Sequence, residues 1–332
     1  MREKELVQAL LRRRIPRDLA VRVALLLALA TAIYMIVHLI LRLPPRPIQT
    51  LLLATPGTLD APPRWRTDIY GPPSSALKSP LGVAASPDGR IFVADTGNAR
   101  IQVFDREGRW LYRFGRYGHR PGEFDYPTDV LYSQGRLYVA DLKNSRIQVF
   151  TPEGKLLAVW PDPERERNPR FAPTALAADG AGRIYAATVN HQVLVFSRSG
   201  RLLGRLGRGG TEAGELSYPN GVVPLTGGRI WVADTANGRL QLLDRRGRFI
   251  AQVLGFAAPR GMSHFRGRLF VAEPLQHRIH VLDSRGNPLY TFGERGTRGG
   301  TFNFPSDVEV DPLGTVYVAD RENDRISVWS YR

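Results

Sequence analysis

The segment PLGVAASPDGRIFVADTGNARIQVFDREGRWLYRFG, residues 80–115, contains four short apolar runs separated by turn sequences. The runs are GVAAS, RIFVAD, RIQVFD and RWLYRFG, and the turn sequences between them are PDG, TGN and REG. Glycine, asparagine, aspartate and proline in these short connections favour chain reversal. The segment is therefore typical of four antiparallel strands joined by tight turns.

This segment repeats along the chain. Related segments begin at five further prolines, Pro127, Pro173, Pro219, Pro259 and Pro305, at spacings of 47, 46, 46, 40 and 46 residues. A fixed period of this length indicates a repeat architecture in which each unit covers its neighbour. The second run of each repeat is apolar on both faces, so it needs cover on both sides, which a radial array of sheets provides.

The sixth repeat reaches the end of the sequence, Arg332, after three runs and lacks a fourth. Residues 64–71, RWRTDIYG, are similar to the fourth run of the first repeat, RWLYRFG. We expect this strand to pair with the last repeat and close the ring, since closure removes an exposed sheet edge. The prediction is an all-β, six-bladed β-propeller over residues 64–332, closed by its own N-terminal strand.

The segments VADTGNARIQVFDREG and GRYGHRPGEFDYPTDV resemble the NHL repeat, a family that builds six-bladed propellers. The third repeat departs from the motif, with Thr188 in place of aspartate and His191 in place of asparagine. Asp95, Asn98 and Arg100 recur in most repeats, and a residue present in every blade serves the blade. We therefore expect these repeated polar residues to be structural.

Function is expected where the blades differ. The connections from each fourth strand to the next first strand are rich in basic residues, which predicts an electropositive face around the channel mouth. The candidate ligand-binding residues of this face are Arg116, His119, Arg120, Arg165, Arg167, Arg170, Arg208, Arg260, Arg295 and Arg298. Solvated loop charges, diluted by nearby glutamates, are the alternative interpretation.

The start of each first strand is expected to line the mouth of the channel. The polar residues there are Thr128, Asp129, Thr174, Asn220, Ser306 and Asp307. No cofactor is predicted, but Asp129 and Asp307 are the candidates for a divalent cation, which needs about six oxygen ligands.

Catalysis has little support in the sequence. The chain has no cysteine and no G-x-S-x-G, H-E-x-x-H or P-loop motif. The resemblance implies an alternative, a metal-dependent lyase or hydrolase with its site at the channel mouth, and His191 is the histidine to test first. The leading hypothesis is a binding scaffold for a protein or an anionic envelope ligand.

The N-terminal sequence predicts a membrane anchor. Residues 23–41, VALLLALATAIYMIVHLIL, contain no charged residue and are long enough to span a bilayer. Basic residues are concentrated in the preceding segment 1–22, which places that segment in the cytoplasm and the propeller outside. Residues 42–63 contain PPRP and APP and form a Pro-rich spacer. A cleaved signal peptide is the competing interpretation.

The net charge of the chain is +15, with 46 basic and 31 acidic residues. A basic exported domain should be attracted to anionic partners or surfaces. The resemblance implies nucleic-acid binding for some NHL propellers. We expect none here, because the predicted topology keeps the propeller outside the cytoplasm and no stacking platform is present.

Overall fold

A computed structural model describes residues 62–161 and 171–330 of the protein. The predicted segments 1–22 and 23–41, nearly all of the spacer 42–63, and Arg165, Arg167 and Arg170 lie outside the described residues. Among the residues that are described, none forms a helix that is both long and apolar enough to cross a bilayer.

Six four-stranded antiparallel sheets make up the fold, and each sheet is one blade. Blade 1 consists of β2 (Gly82–Ala85), β3 (Ile91–Asp95), β4 (Arg100–Phe104) and β5 (Trp110–Phe114). Blade 2 consists of β6 (Pro127–Ser133), β7 (Arg136–Asp141), β8 (Arg146–Phe150) and β9 (Leu156–Trp160). Blade 3 consists of β10 (Pro173–Ala178), β11 (Ile184–Thr188), β12 (Gln192–Phe196) and β13 (Leu202–Leu206).

Blades 4 and 5 consist of β16 (Gly221–Pro224), β17 (Ile230–Asp234), β18 (Arg239–Leu243) and β19 (Phe249–Leu254); and β20 (Met262–Phe265), β21 (Arg268–Glu273), β22 (Arg278–Asp283) and β23 (Pro288–Phe292). Blade 6 consists of β24 (Pro305–Val310), β25 (Thr315–Asp320), β26 (Arg325–Ser330) and β1 (Arg64–Ile69). Two short strands, β14 (Arg208–Gly209) and β15 (Glu215–Leu216), pair in parallel between blades 3 and 4. The prediction of a six-bladed propeller is confirmed.

The second strand of each blade lies at the centre of the packing. Strand β3 is buried along its whole length, and its residues Ile91 and Val93 pack in one apolar cluster with Tyr317 and Ala319 of the neighbouring blade. The alanine next to the end of every second strand is fully buried: Ala94, Ala140, Ala187, Ala233, Ala272 and Ala319. A small side chain at this position lets adjacent sheets approach closely.

Strand β1 closes the ring, as the sequence predicts. It pairs antiparallel with β26, with Trp65 opposite Trp329 and Ile69 opposite Ile326. The Arg325 guanidinium adds a polar link, since it donates to the Asp68 carboxylate at 2.9 Å and to the Tyr70 hydroxyl at 3.2 Å. The N-terminal and C-terminal strands of the propeller are therefore joined in one sheet.

A buried carboxylate organises the end of most second strands. In blade 2, Asp141 accepts hydrogen bonds from Asn144 at 2.9 Å, from Arg146 at 2.7 Å and from the backbone N–H of Asp125 at 2.8 Å. Arg146 also donates to the carbonyl oxygen of His119 at 2.9 Å. These bonds attach the turn between the second and third strands of a blade to the connection that enters that blade. The repeated residues therefore have the structural role that the sequence predicts.

The same bonds define two faces of the propeller. The mouth face carries the turns between second and third strands together with the connections from fourth to first strands. The hairpin face, at the opposite ends of the strands, carries the connections between first and second and between third and fourth strands.

Candidate functional site

The first strands of all six blades surround a narrow central channel. A cavity of about 40 Å³ lies inside it, with Val83, Asp129, Leu176, Asp307 and Glu309 among the residues that line it. This volume holds little more than one water molecule. A ligand larger than that does not fit inside this cavity and must bind on the surface of the propeller.

The predicted polar ring at the channel mouth connects the blades to one another. The hydroxyls of Thr128, Thr174 and Ser306 donate to backbone carbonyls of the next blade at 3.1, 2.6 and 2.9 Å. Asn220 donates to the Tyr218 carbonyl oxygen at 2.8 Å and to a threonine hydroxyl at 3.1 Å. The three hydroxyl groups therefore link neighbouring blades, whereas Asn220 bonds within its own blade and the connection that enters it.

Asp129 and Asp307 each join three consecutive blades. The Asp129 carboxylate accepts the backbone N–H of Leu176 in the next blade at 2.6 Å, and Asp307 accepts that of Val83 at 3.0 Å. In the preceding blades, glycines make room for them: a Cβ added to Gly82 would lie 2.6 Å from the Asp129 Cα, and one added to Gly261 would lie 2.6 Å from the Asp307 Cα.

Burial changes the acidity of the channel carboxylates because it disfavours their charged forms. It raises the pKa of Asp307 to about 7. Burial, together with the charge of Asp307, raises the pKa of Asp129 well above its usual range. Burial also raises the pKa of Glu309 to about 8, although the Ser263 hydroxyl donates to this carboxylate at 2.9 Å.

The divalent-cation site at Asp129 and Asp307 stays a prediction. Both carboxylates already accept backbone N–H groups. Within residues 62–161 and 171–330, no three or more His, Asp or Glu side chains are grouped as metal ligands. The bonds to these backbone N–H groups join the inner strands of neighbouring blades.

Several predicted basic-face residues are paired within their own connection. Arg116 lies 2.8 Å from Glu123, and Arg208 lies 3.0 Å from Glu215. The second pair follows directly from the parallel pairing of β14 with β15, which places these two residues opposite each other. Arg120, Arg295 and Arg298 are exposed on the same face.

The mouth face consequently carries little net charge. Its described connections, with the strand residues that flank them, contain 14 basic and 12 acidic residues. By sequence alone, residues 162–170 add three arginines and three acidic residues. The charges that the connections present to solvent are mixed in sign, which is the arrangement that the alternative interpretation of solvated loop charges describes.

Arg260 differs from the other basic residues because it lies at the channel mouth itself. Its carbonyl oxygen would be 2.3 Å from a Cβ added to Gly221, so its backbone packs directly on blade 4. Burial and the adjacent charge of Arg321 lower its pKa, while Asp307 acts in the opposite direction. A cationic group is therefore held at the centre of the mouth face.

The repeat motif alone does not predict the aromatic residues at the mouth. Tyr126, Tyr218 and Phe304 precede the first proline of blades 2, 4 and 6 and adopt left-handed backbone conformations, with φ of 65°, 46° and 55°. Such conformations are costly for bulky residues and persist only where the surroundings hold them. The signal in the sequence is an aromatic–proline dipeptide at every second connection.

Two histidines hold the backbone conformations of Tyr218 and Phe304 in place. His191 Nδ1 accepts the backbone N–H of Tyr218 at 3.1 Å, and His277 Nδ1 accepts that of Phe304 at 3.2 Å. The rings of each pair lie 4.7 and 4.8 Å apart. His191, the first histidine to test for catalysis, thus has a structural contact between blades 3 and 4. His119 lies elsewhere on this face, with Nδ1 2.7 Å from the Asn144 amide oxygen.

The aromatic and apolar groups of the mouth face are accessible. Tyr218 is 52% exposed, Tyr117 is 66% exposed and Leu275 is 56% exposed. Amphipathic aromatic side chains on a rigid support, next to arginines, are typical of the residues that dominate protein–protein interfaces. The arrangement is suited to binding.

Four segments match the family model of the NHL repeat: residues 77–104, 124–150, 216–241 and 302–329. They lie in blades 1, 2, 4 and 6, so the chain carries NHL repeats in these blades. Blades 3 and 5, where the motif residues change, are outside the matched segments.

The curated relatives share only part of their length with this chain. Protein brain tumor of Drosophila melanogaster is 43% identical over 61 residues, which is 18% of this chain and 6% of that protein. RING finger protein nhl-1 of Caenorhabditis elegans is 32% identical over 126 residues, which is 36% of this chain and 13% of that protein.

Solved structures share the fold. A streptogramin B lyase structure superimposes with a TM-score of 0.60 at 13% identity and covers 80% of this chain and 96% of that chain. The WD40 β-propeller domain of Doa1 has a TM-score of 0.58 at 8% identity and covers 82% of this chain and 98% of that chain. At these identities the likeness concerns architecture alone.

Proposed function

From a six-bladed β-propeller that carries NHL repeats, we propose that this chain is a binding scaffold that holds a partner protein on its mouth face. The observation that supports this most strongly is the set of exposed aromatic and apolar side chains around the channel, with Arg260 at their centre. Tyrosine and arginine supply much of the binding energy of protein interfaces when they occupy their central region. The rigid, closed ring fixes these groups in advance, which lowers the entropic cost of binding.

The test compares two variants of the full chain in affinity capture with quantitative mass spectrometry. In the mouth variant, Tyr218→Asn is combined with Leu275→Ser, and asparagine suits the left-handed conformation at position 218. In the matched control, Leu157→Ser is combined with Leu203→Ser, which removes exposed leucines from outer strands of blades 2 and 3.

We expect a partner that the wild-type chain and the control recover equally. The mouth variant should recover at least about tenfold less of it, since truncating an interface hot spot costs about 2 kcal/mol or more. Equal loss in both variants, or no loss in the mouth variant, would contradict a partner site on this face.

We further propose that residues 23–41 tether this scaffold to a membrane, with residues 1–22 in the cytoplasm and the propeller outside it. The support is the uncharged apolar run and the concentration of basic residues before it. In this arrangement the partner is a protein outside the cytoplasm.

The absence of cysteine makes the topology directly testable. A Leu275→Cys variant should react with a membrane-impermeant maleimide in cells whose plasma membrane is intact, and the full chain should resist alkaline extraction from membranes. Labelling only after lysis would overturn the topology, and release at alkaline pH would overturn the tether.

A further inference from the structure

The positive charge of the propeller is concentrated on the hairpin face. Its connections, with the strand residues that flank them, contain 15 basic and 8 acidic residues. The described connections of the mouth face are nearly balanced by comparison. The two faces of one rigid ring therefore differ strongly in electrostatic character.

The excess on the hairpin face belongs to three neighbouring blades. In blades 1, 2 and 6, the connections of the hairpin face contain five basic and five acidic residues. In blades 3, 4 and 5, they contain ten basic and three acidic residues. We call these ten residues the arginine sector: Arg183, Arg198, Arg201, Arg229, Arg245, Arg246, Arg248, Arg266, Arg268 and Arg285. All are exposed except Arg268, which is half-buried.

The connections that contain the arginine sector also hold three acidic residues, and each of these has a partner within its own hairpin. Asp179 pairs with Arg183 at 2.6 Å, and Asp244 pairs with Arg248 at 2.7 Å, each within one hairpin. Asp283 accepts hydrogen bonds from the side chain and backbone of Asn287, both at 2.8 Å. The sector therefore presents a surplus of arginine to solvent.

A cavity at the edge of the sector adds further arginines. It has a volume of about 320 Å³, lies between blades 3 and 4, and is lined by Arg205, Arg208, Arg246 and Arg248, by Phe249 and by Glu215, which pairs with Arg208 at 3.0 Å. Guanidinium groups bind phosphate through two parallel N–H donors. The cavity is large enough for a phosphate group and part of the molecule that carries it.

The position of β1 shows which face meets the preceding chain. The first residue of this strand, Arg64, pairs with Ser330, the last residue of β26, so the strand begins at the hairpin face. Residues 42–63 precede it, and a chain of this length reaches at most about 80 Å when extended. A membrane that holds residues 23–41 is therefore within reach of the hairpin face.

We propose that the arginine sector docks the hairpin face onto an anionic phospholipid bilayer. This rests on the proposed tether for the proximity of the membrane. An anionic bilayer surface attracts each nearby basic residue, and the tether raises the effective concentration of the sector at that surface. Docking by this face leaves the mouth face directed away from the lipid and open to its partner.

The test uses the full chain in nanodiscs of phosphatidylcholine, alone or mixed with phosphatidylglycerol. A single cysteine carries a fluorophore, and headgroup-labelled lipid is the quencher. Thr226→Cys places the fluorophore on the hairpin face of blade 4, and Leu275→Cys places it on the mouth face. The charge variant combines Arg245→Glu with Arg266→Glu. The matched control, Arg106→Glu with Lys155→Glu, makes the same charge change on the balanced half of the same face.

We expect anionic lipid to quench the fluorophore at position 226 and not the one at position 275, and added salt to reverse the effect. The Arg245→Glu/Arg266→Glu variant should dock at least about tenfold less, because each basic residue contributes about a fivefold factor at such a surface. The Arg106→Glu/Lys155→Glu control should dock like the wild-type chain.

The proposal would be overturned if quenching at position 226 did not depend on lipid charge, or if both charge variants lost docking equally. It would also be overturned if the fluorescence at position 226 changed on addition of polyglutamate but not of anionic nanodiscs. The last result would assign the sector to an acidic protein. Retention of the chain by phosphatidylcholine nanodiscs reports separately on the tether, and the capture experiment reports separately on the mouth face.

Discussion

Arg325 offers a sharp test of how the ring is closed. Its side chain is 1% exposed, and its five N–H groups contact six acceptors: the Asp320 and Asp68 carboxylates, the Tyr70 hydroxyl and three backbone carbonyls. Arg325→Met keeps most of the volume but removes every donor. Two carboxylates, one on β1 and one on β25, then lose their cationic partner.

Removing one partner of a buried ion pair typically destabilises a protein by about 3–5 kcal/mol. For a domain of this size, 1 kcal/mol corresponds to about 2–4 °C in Tm, so we expect a decrease of roughly 6–20 °C. Thermal unfolding followed by circular dichroism, with a parallel urea titration, measures it.

The matched variant is Arg100→Met at the equivalent position of blade 1. Arg100 donates only to Asp95 at 2.6 Å and to one backbone carbonyl at 3.0 Å, and Asp95 keeps Asn98 and Gln102 as donors. Arg100→Met should therefore lower the free energy of unfolding by less than Arg325→Met does. The reasoning is refuted if Arg325→Met unfolds within about 2 °C of the wild-type protein, or if Arg100→Met is equally destabilised.

Three further substitutions test the channel and the mouth. The raised pKa of Glu309, about 8, means that its contribution to stability is complete below about pH 4.5 and is lost as the pH rises through 8. Glu309→Gln should therefore match the wild-type protein at pH 4 and exceed its stability at pH 9 by up to about 5 kcal/mol in urea titrations. Gly261→Ala would bring a Cβ to 2.0 Å from the Asp307 carboxylate and should cost about 1–3 kcal/mol, whereas Gly204→Ala, with no atom within 4 Å, should be neutral in thermal unfolding. His191→Ala should cost about 1 kcal/mol, and His191→Asn, which tolerates φ of 62° and offers an acceptor, should restore most of it.

Each of these predictions has a contradicting outcome. If the free energies of unfolding of Glu309→Gln and the wild-type protein ran parallel from pH 4 to pH 9, the pKa of Glu309 would not be raised in the folded state. Similar effects of the two glycine variants would remove the steric argument. Equal destabilisation by alanine and asparagine at position 191 would show that the imidazole acts through packing rather than as an acceptor.

The architecture could be predicted from the sequence because its signals are local and repeated. Each blade repeats the same apolar runs and turns, so the blade number follows from counting, and the missing fourth strand identifies residues 64–71 as its replacement. The fully buried alanines next to the strand ends follow from the same repetition.

The character of the two faces could not be predicted in the same way, because it depends on pairs of residues from different parts of a repeat. Arg208 is paired with Glu215 only because β14 and β15 align in parallel, and the hydroxyl of Thr174 is directed to the next blade rather than into the channel. The surplus of basic residues in the whole chain follows directly from the sequence. Its location on the hairpin face of blades 3–5 required the topology.

Hydrogen–deuterium exchange over β1 tests the closed ring, on which the assignment of both faces depends. In the full chain, the amides of residues 64–69 that pair with β26 should exchange as slowly as those of β26 itself, since both strands open only with blade 6. Thr67→Pro should remove the protection of both strands together. Rapid exchange of residues 64–69 beside a protected β26 would contradict closure by this strand.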